Sequence, residues 1–179
     1  AQRAVEGELD VRVVDSRTVS LGVGVIAVAA ARAAANGDDI DTIEAMVNTA
    51  IEHTRVHAAL DTLENLKKGG RIGGAASLLG SLLSIKPLIE VVDGVVEPAG
   101  RQRTRSKALD HIVQLVADQG RIDRLAVLHA MCDDVDDFVA KLQPHVDEEI
   151  LVGEIGPVIG THAGLGTIGV TFQVASPAS

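Results

Sequence analysis

The run KPLIEVVDGVVEPAGRQR (86–103) constrains the fold more than any other stretch of this chain. Two β-branched segments meet at Asp93-Gly94, and an Asp-Gly pair between such runs is a strong signal for a two-residue hairpin. An antiparallel pair is thereby set in the middle of a chain whose neighbouring segments have helical periodicity. VSLGVGVIAVAAARAAANG (19–37) reads as an Ala-rich helix stopped by Asn36-Gly37. Ile40, Ile43, Met46, Val47, Ala50 and Ile51 then recur at the spacing of an amphipathic helix. VRVVDS (11–16) and VHAALDT (56–62) read as strands, the first of them buried. TLENLKKGG (62–70) predicts a helix capped by Thr62 and ended by Gly69-Gly70, and AASLLGSLLSI (75–85) a second, short apolar one.

The second half continues in the same manner. Ala108, Leu109, Ile112, Leu115 and Val116 form the buried stripe of a helix, DRLAVLHA (123–130) is a buried strand, and DDVDDFVAKLQPHV (133–146) is a helix with an acidic start. EILVGEIGPVIGTHAGLGTIGVTFQV (149–174) closes the chain with two or three strands around a glycine-rich loop. The predicted class is α/β, a mixed sheet with helices on it, with a seam between two domains near residues 52–56. The only aromatic residues are Phe138 and Phe172, so the core has to be built from Ala, Val, Leu and Ile. The same scarcity argues against base-stacking platforms, and a net charge of −9 argues against nucleic-acid and anionic-membrane binding. The longest apolar stretch, Gly22–Ala35, is cut by Arg32 and falls short of the ~20 residues a membrane span needs. The single cysteine, Cys132, cannot form an internal disulfide; a structural role and a reducing, cytoplasmic setting are expected.

Four short stretches have the composition of sites. In VIGTHAGLGTIGV (158–170), His162 sits among glycines that let the backbone approach something closely. It is either the tip of a tight turn between two strands or a contact for the polar head of a ligand. KKGGRIGGA (67–75) places Arg71 between two glycine pairs, which fits either a helix end with a surface arginine or an anion site. RQRTRSK (101–107), read as a strand, aims Arg101, Arg103 and Arg105 the same way, toward solvent or toward a phosphate or acidic partner. In VVDSRTVS (13–20), Ser16, Thr18 and Ser20 follow a strand end and can cap the next helix or reach a ligand. No metal-ligand spacing, nucleotide loop, nucleophile elbow or catalytic constellation is visible.

VVDSRTVSLGVG, DTLENLKKGGRIG, LLSIKPLIEVVDGVVEPAGRQRTRSKAL and GTHAGLGTIGVTF, in this order and with these gaps, resemble the DegV family of bacterial fatty-acid-binding proteins. The resemblance implies a two-domain α/β protein: residues 1–55 as the C-terminal part of the first domain, and residues 56–179 as a second domain with a mixed sheet. It implies a long-chain fatty acid held between the domains, no other cofactor and no metal. It further implies a kinase subunit, fatty acid kinase, that phosphorylates the bound carboxylate, so that this chain is not itself an enzyme. His162, Thr161, Gly160, Ser16 and Ser20 would serve the fatty acid, and Arg71 and Arg103 the docking of kinase or phosphate. Ala163 and Leu165 vary the family's usual loop. The family's upstream threonine and serine, which grip the carboxylate, precede the first residue here, and the chain opens AQRAVEGELD without a methionine. The expectation is therefore a C-terminal portion whose partners include its own N-terminal segment. The alternative is an enzyme in which the arginine cluster and His162 carry out phosphoryl transfer directly, without a nucleotide loop to support it.

Overall fold

The computed structural model describes residues 10–79 and 85–175. The Asp-Gly hairpin is present: β2 (Lys86–Val92) and β3 (Val95–Gln102) pair antiparallel through Val92↔Val95. Asp93 and Gly94 have φ of 49° and 79°, the left-handed pair that a hairpin matching the strand twist requires. β1 (Thr54–Ala59), β4 (Ile122–His129), β5 (Leu151–Glu154) and β6 (Ile168–Val174) complete a six-stranded sheet of order β3-β2-β1-β6-β4-β5. Every neighbouring pair is antiparallel except β4–β5, whose parallel pairing needs the crossover supplied by α5 (Val135–Leu142).

Period-two alternation divides the central strands between two faces. On one face, α4 (Arg105–Ala117) and α5 bring Ile112, Val116, Phe138 and Leu142 onto Val127, Val170 and Phe172. Both phenylalanines are fully buried there, so the two aromatics anchor the largest cluster. The other face carries α1 (Leu21–Ala35) and α2 (Ile40–His53), which meet through Val25, Ile26 and Ile51. Toward the hairpin, α3 (Glu64–Lys68) and a 3₁₀ helix at Gly73–Leu78 pack Leu63, Leu66 and Ala75 onto Leu60 and Ile89. The last helix, α6 (Pro157–Ala163), precedes β6. No helix among the described residues is long and apolar enough to cross a membrane.

Several local expectations are corrected. Residues 11–16 are not a strand: they pair with no strand among the described residues, and Val13 is 61% exposed. The sheet already ends in β5 and β3, and ion pairs from Arg12 to Asp41 and Glu44 tie this segment to α2 instead. Ser20 occupies the N-cap position of α1, but its side chain accepts no capping hydrogen bond. Thr62 lies one residue ahead of the N-cap of α3, where its Oγ1 accepts from the Glu64 amide at 3.1 Å. The stretch 75–85 is a 3₁₀ turn as far as Leu78, and residues 80–84 lie outside the described residues. Arg101, Arg103 and Arg105 do not share a strand face, because β3 stops at Gln102 and Thr104 caps α4, making Arg105 its first residue. The strand turn expected around His162 is a helix, since Pro157 pre-sets its first turn and Gly164 (φ 85°) ends it.

Candidate functional site

His162 lies in the last turn of α6, at the end of the sheet where α3 also sits. The glycines around it admit a neighbouring helix. A Cβ at Gly69 would run into His162 Nδ1, and one at Gly164 into Asn65 Nδ2. At Gly166 it would come within 2.5 Å of Asp61 Oδ2. Residues 61–69 and 162–166 therefore interlock at backbone distance, which only glycine allows. The interlock leaves His162 Nδ1 buried with no hydrogen-bond partner among the described residues. The adjacent amides of α3 are already committed: Gly69 N bonds Asn65 O at 2.9 Å and Arg71 N bonds Leu66 O at 2.9 Å. A buried polar atom left in this condition costs free energy unless something else satisfies it.

Beneath α6 runs a crevice on the α1 face of the sheet. Alternate residues Val56 and Ala58 of β1, Leu60 just beyond it, and Ile89 and Val91 of β2 form its floor. Ile155, Ile159 and Ala163 close it on the α6 side, and Val19 and Ser20 on the α1 side. Gly169 also lines it, and a Cβ there would run into Ala58 and the His57 carbonyl, so glycine permits the close approach of β1. The walls are almost wholly apolar, and the volume is about 80 Å³. Ligand pockets span roughly 300–1,000 Å³, so the crevice as it stands takes only part of a long alkyl chain. Ser20, with φ 56° and ψ −129° and no side-chain hydrogen bond among the described residues, supplies the free hydroxyl on this wall. A non-glycine residue held in this region stores strain of the kind found at ligand clamps.

The expected site residues are thus dispersed. Ser20 lines the crevice, while Ser16 is half-buried in the coil before it and does not. Gly160 and Thr161 line a neighbouring groove of about 600 Å³ with Asn65, His129, Glu154 and Leu165. Thr161 is exposed, and its hydroxyl donates to Pro157 O at 2.7 Å within its own helix. Arg71 and Arg103 are exposed, the former donating only a long bond of 3.4 Å to Gly70 O. No group of three His, Cys, Asp or Glu that could hold a metal ion occurs among the described residues.

Two features escaped the sequence. Arg105 grips Asp134 with two bonds of 2.6 and 2.8 Å, donates to Gly166 O at 2.5 Å and approaches Asp61 at 3.8 Å. Hydrogen bonding to Asp134 raises the guanidinium's pKa, and the same contact lowers that of the carboxyl. Asp134 also stood out in the sequence as part of an acidic helix start, but nothing there named its partner. His57 is the other: it is 6% exposed, stacks on Phe172 with centroids 5.9 Å apart, and its Nδ1 has no hydrogen-bond partner among the described residues. Burial, and then the charges of Arg55 and His111, push its pKa down to about 4. A histidine inside a β-branched run was the available signal.

The sequence profile described as uncharacterised protein, DegV family, matches residues 1–175. This chain belongs to the DegV family. A DegV domain-containing protein of Mycobacterium tuberculosis is 42% identical over 176 residues, covering 93% of this chain and 62% of the relative. One of Clostridium perfringens is 34% identical over 169 residues, covering 92% of this chain and 60% of its own length. The chain therefore spans about three fifths of these relatives. Among solved structures, the fatty-acid-binding DegV family protein of Thermus thermophilus superposes with a TM-score of 0.87 at 35% identity, over 96% of this chain and 64% of that one. DegV of Bacillus subtilis, described as a fatty acid binding protein, gives a TM-score of 0.78 at 30% identity, over 96% and 63%. The mixed α/β fold expected from the sequence is the fold of this family.

Proposed function

We propose that this chain forms part of a fatty-acid carrier, with the acyl tail in the crevice beneath α6 and the carboxylate near His162. One observation carries the reading: an apolar crevice ends under the helix that holds an unpartnered imidazole. An alkyl chain gains ~0.8 kcal/mol per buried CH₂, so an aliphatic slot suffices for tight binding. A carboxylate at its mouth needs hydrogen bonds, since burying it bare costs several kcal/mol. Ser20 lines the slot, His162 sits on the helix above it without lining either cavity, Gly160 and Thr161 belong to that same helix, and Ser16 lies in the coil that leads to Ser20. Residues 1–55 act as the end of a first domain and 56–179 as the second, and further chain length of the kind the relatives possess completes the slot to the size of a long acyl chain. In this reading the protein is a non-catalytic, cytoplasmic subunit that presents the carboxylate to a fatty acid kinase, with Arg71 and Arg103 exposed for docking.

The test is lipid extraction from the purified protein followed by mass spectrometry, on the wild type and on Ala58→Leu. Ala58 points into the crevice from the sheet, so a larger side chain there fills it without touching the core beneath α4. Co-purified fatty acid in the wild type, lost in Ala58→Leu with unchanged melting, supports the carrier. ATP turnover by the protein alone, abolished by His162→Ala, would instead establish an enzyme.

A further inference from the structure

The loop behind α6 has little conformational preference of its own. Gly164 and Gly166, with φ of 85° and 76°, flank the exposed Leu165. Glycine favours neither hand of the backbone, so such a turn keeps one shape only when it is held from outside. α6 itself is seven residues long, too short to stand as an isolated helix. Among the described residues, the hydrogen bond its own side chains donate, Thr161 Oγ1 to Pro157 O, stays within the helix. How α6 sits on α3, and with it the setting of the His162 ring against Gly69, therefore depends on what holds the loop.

Two clamps hold it. The first is backbone: Gly166 N bonds Ala130 O at 2.9 Å and Ala130 N bonds Thr167 O at 2.8 Å, tying the loop to the end of β4. The second is Arg105, whose Nη1 donates to Gly166 O while Nε and Nη2 grip Asp134, the N-cap residue of α5. Asp61, paired with Lys86 at 2.6 Å, lies against the same glycine. One guanidinium thus joins the starts of α4 and α5 to the loop behind His162. In its own helix it is badly placed, since a cation in the first turn of α4, with no acidic residue there, opposes the helix dipole. A side chain that breaks a local rule and is fully engaged by distant partners is of the kind that supports a site. Lysine would keep the charge but has no planar fork to bridge a carboxylate and a carbonyl together.

We propose that Arg105 is a positioning residue for ligand binding: by clamping Gly166 O to Asp134 it seats α6 on α3 and so orients His162. The inference rests on the fatty-acid reading above and adds to it a residue that touches no ligand. The test is a double-mutant cycle on palmitic acid binding by the purified protein, with Arg105→Lys and His162→Ala alone and combined. Leu142→Ala is the control, because it opens the core at the far end of α5 and destabilises the fold without touching the loop. Arg105→Lys should weaken binding by about tenfold, the equivalent of one lost hydrogen bond. In the His162→Ala background it should weaken binding by less than about twofold, since no ring is left to orient. The imidazole nitrogen NMR signals of His162 should move in Arg105→Lys and stay in place in Leu142→Ala. No weakening, equal weakening in both backgrounds, equal weakening by Leu142→Ala, or an unmoved His162 spectrum overturns the positioning role and leaves the carrier standing. A wild type that binds no palmitic acid overturns the carrier, and this inference with it.

Discussion

His57→Phe should remove a specific part of the protein's acid sensitivity. The imidazole is buried against Phe172, and its folded-state pKa is pushed down to about 4 from an ordinary 6.5, first by burial and then by Arg55 of β1 and His111 of α4. Glu90 on β2 is the nearest carboxylate, at 3.9 Å. The folded value is depressed, so the unfolded chain takes up the proton first. Stability from this group is complete above pH 6.5 and falls as the pH drops toward 4, below which both states are protonated. Over the whole window the loss is roughly 3 kcal/mol, of which about 2 kcal/mol has gone by pH 5. With only 8% of the side chain exposed, little of this is screened by solvent. The assay is urea unfolding of wild type and variant at pH 7 and pH 5. Other histidines and carboxylates titrate in both proteins, so the readout is the difference between the two pH dependences. The wild type should lose about 2 kcal/mol more than His57→Phe. At pH 7 the variant should be as stable or more so, by roughly 1–3 kcal/mol, because it no longer buries an unpartnered nitrogen. Parallel losses in the two proteins would refute the argument from desolvation.

Three further outcomes follow from the site end of the molecule. Gly69→Ala places a methyl group against His162 Nδ1, so it should dislodge the ring and lower fatty-acid retention while the circular dichroism stays unchanged; full retention would separate His162 from the ligand. Arg105→Ala removes the bonds to Asp134 and Gly166 O and should cost roughly 2–3 kcal/mol in urea unfolding, against under 1 kcal/mol for the exposed Arg101→Ala. Arg103→Ala should impair kinase-dependent phosphorylation of the bound fatty acid more than lipid retention, as measured by mass spectrometry before and after incubation with the kinase; equal losses in both would remove its docking role.

Signals written within a few residues were sufficient for much of the architecture. Asp93-Gly94 specifies its own hairpin because the left-handed pair of φ angles is a local steric demand. The stripes of α2 and α4 specify helices because residues three and four apart share a face. The linked motifs around Ser20, Gly69, Arg103 and His162 specified the family. The same local logic failed where partners come from elsewhere in the chain. Residues 11–16 have the composition of a strand and pair with none among the described residues, and Arg105, one of three like arginines in the sequence, is turned inward by Asp134 and the carbonyl of Gly166. The glycines around His162 pointed to a close approach but did not identify its object, which is α3, about a hundred residues earlier. The crevice and the two unpartnered imidazole nitrogens depend on side chains from β1, β2, α1, α3 and α6 meeting in space. Backbone sterics and helical periodicity act over short stretches and can be read along a chain; desolvation and shape depend on which distant surfaces meet, and only the folded molecule decides that.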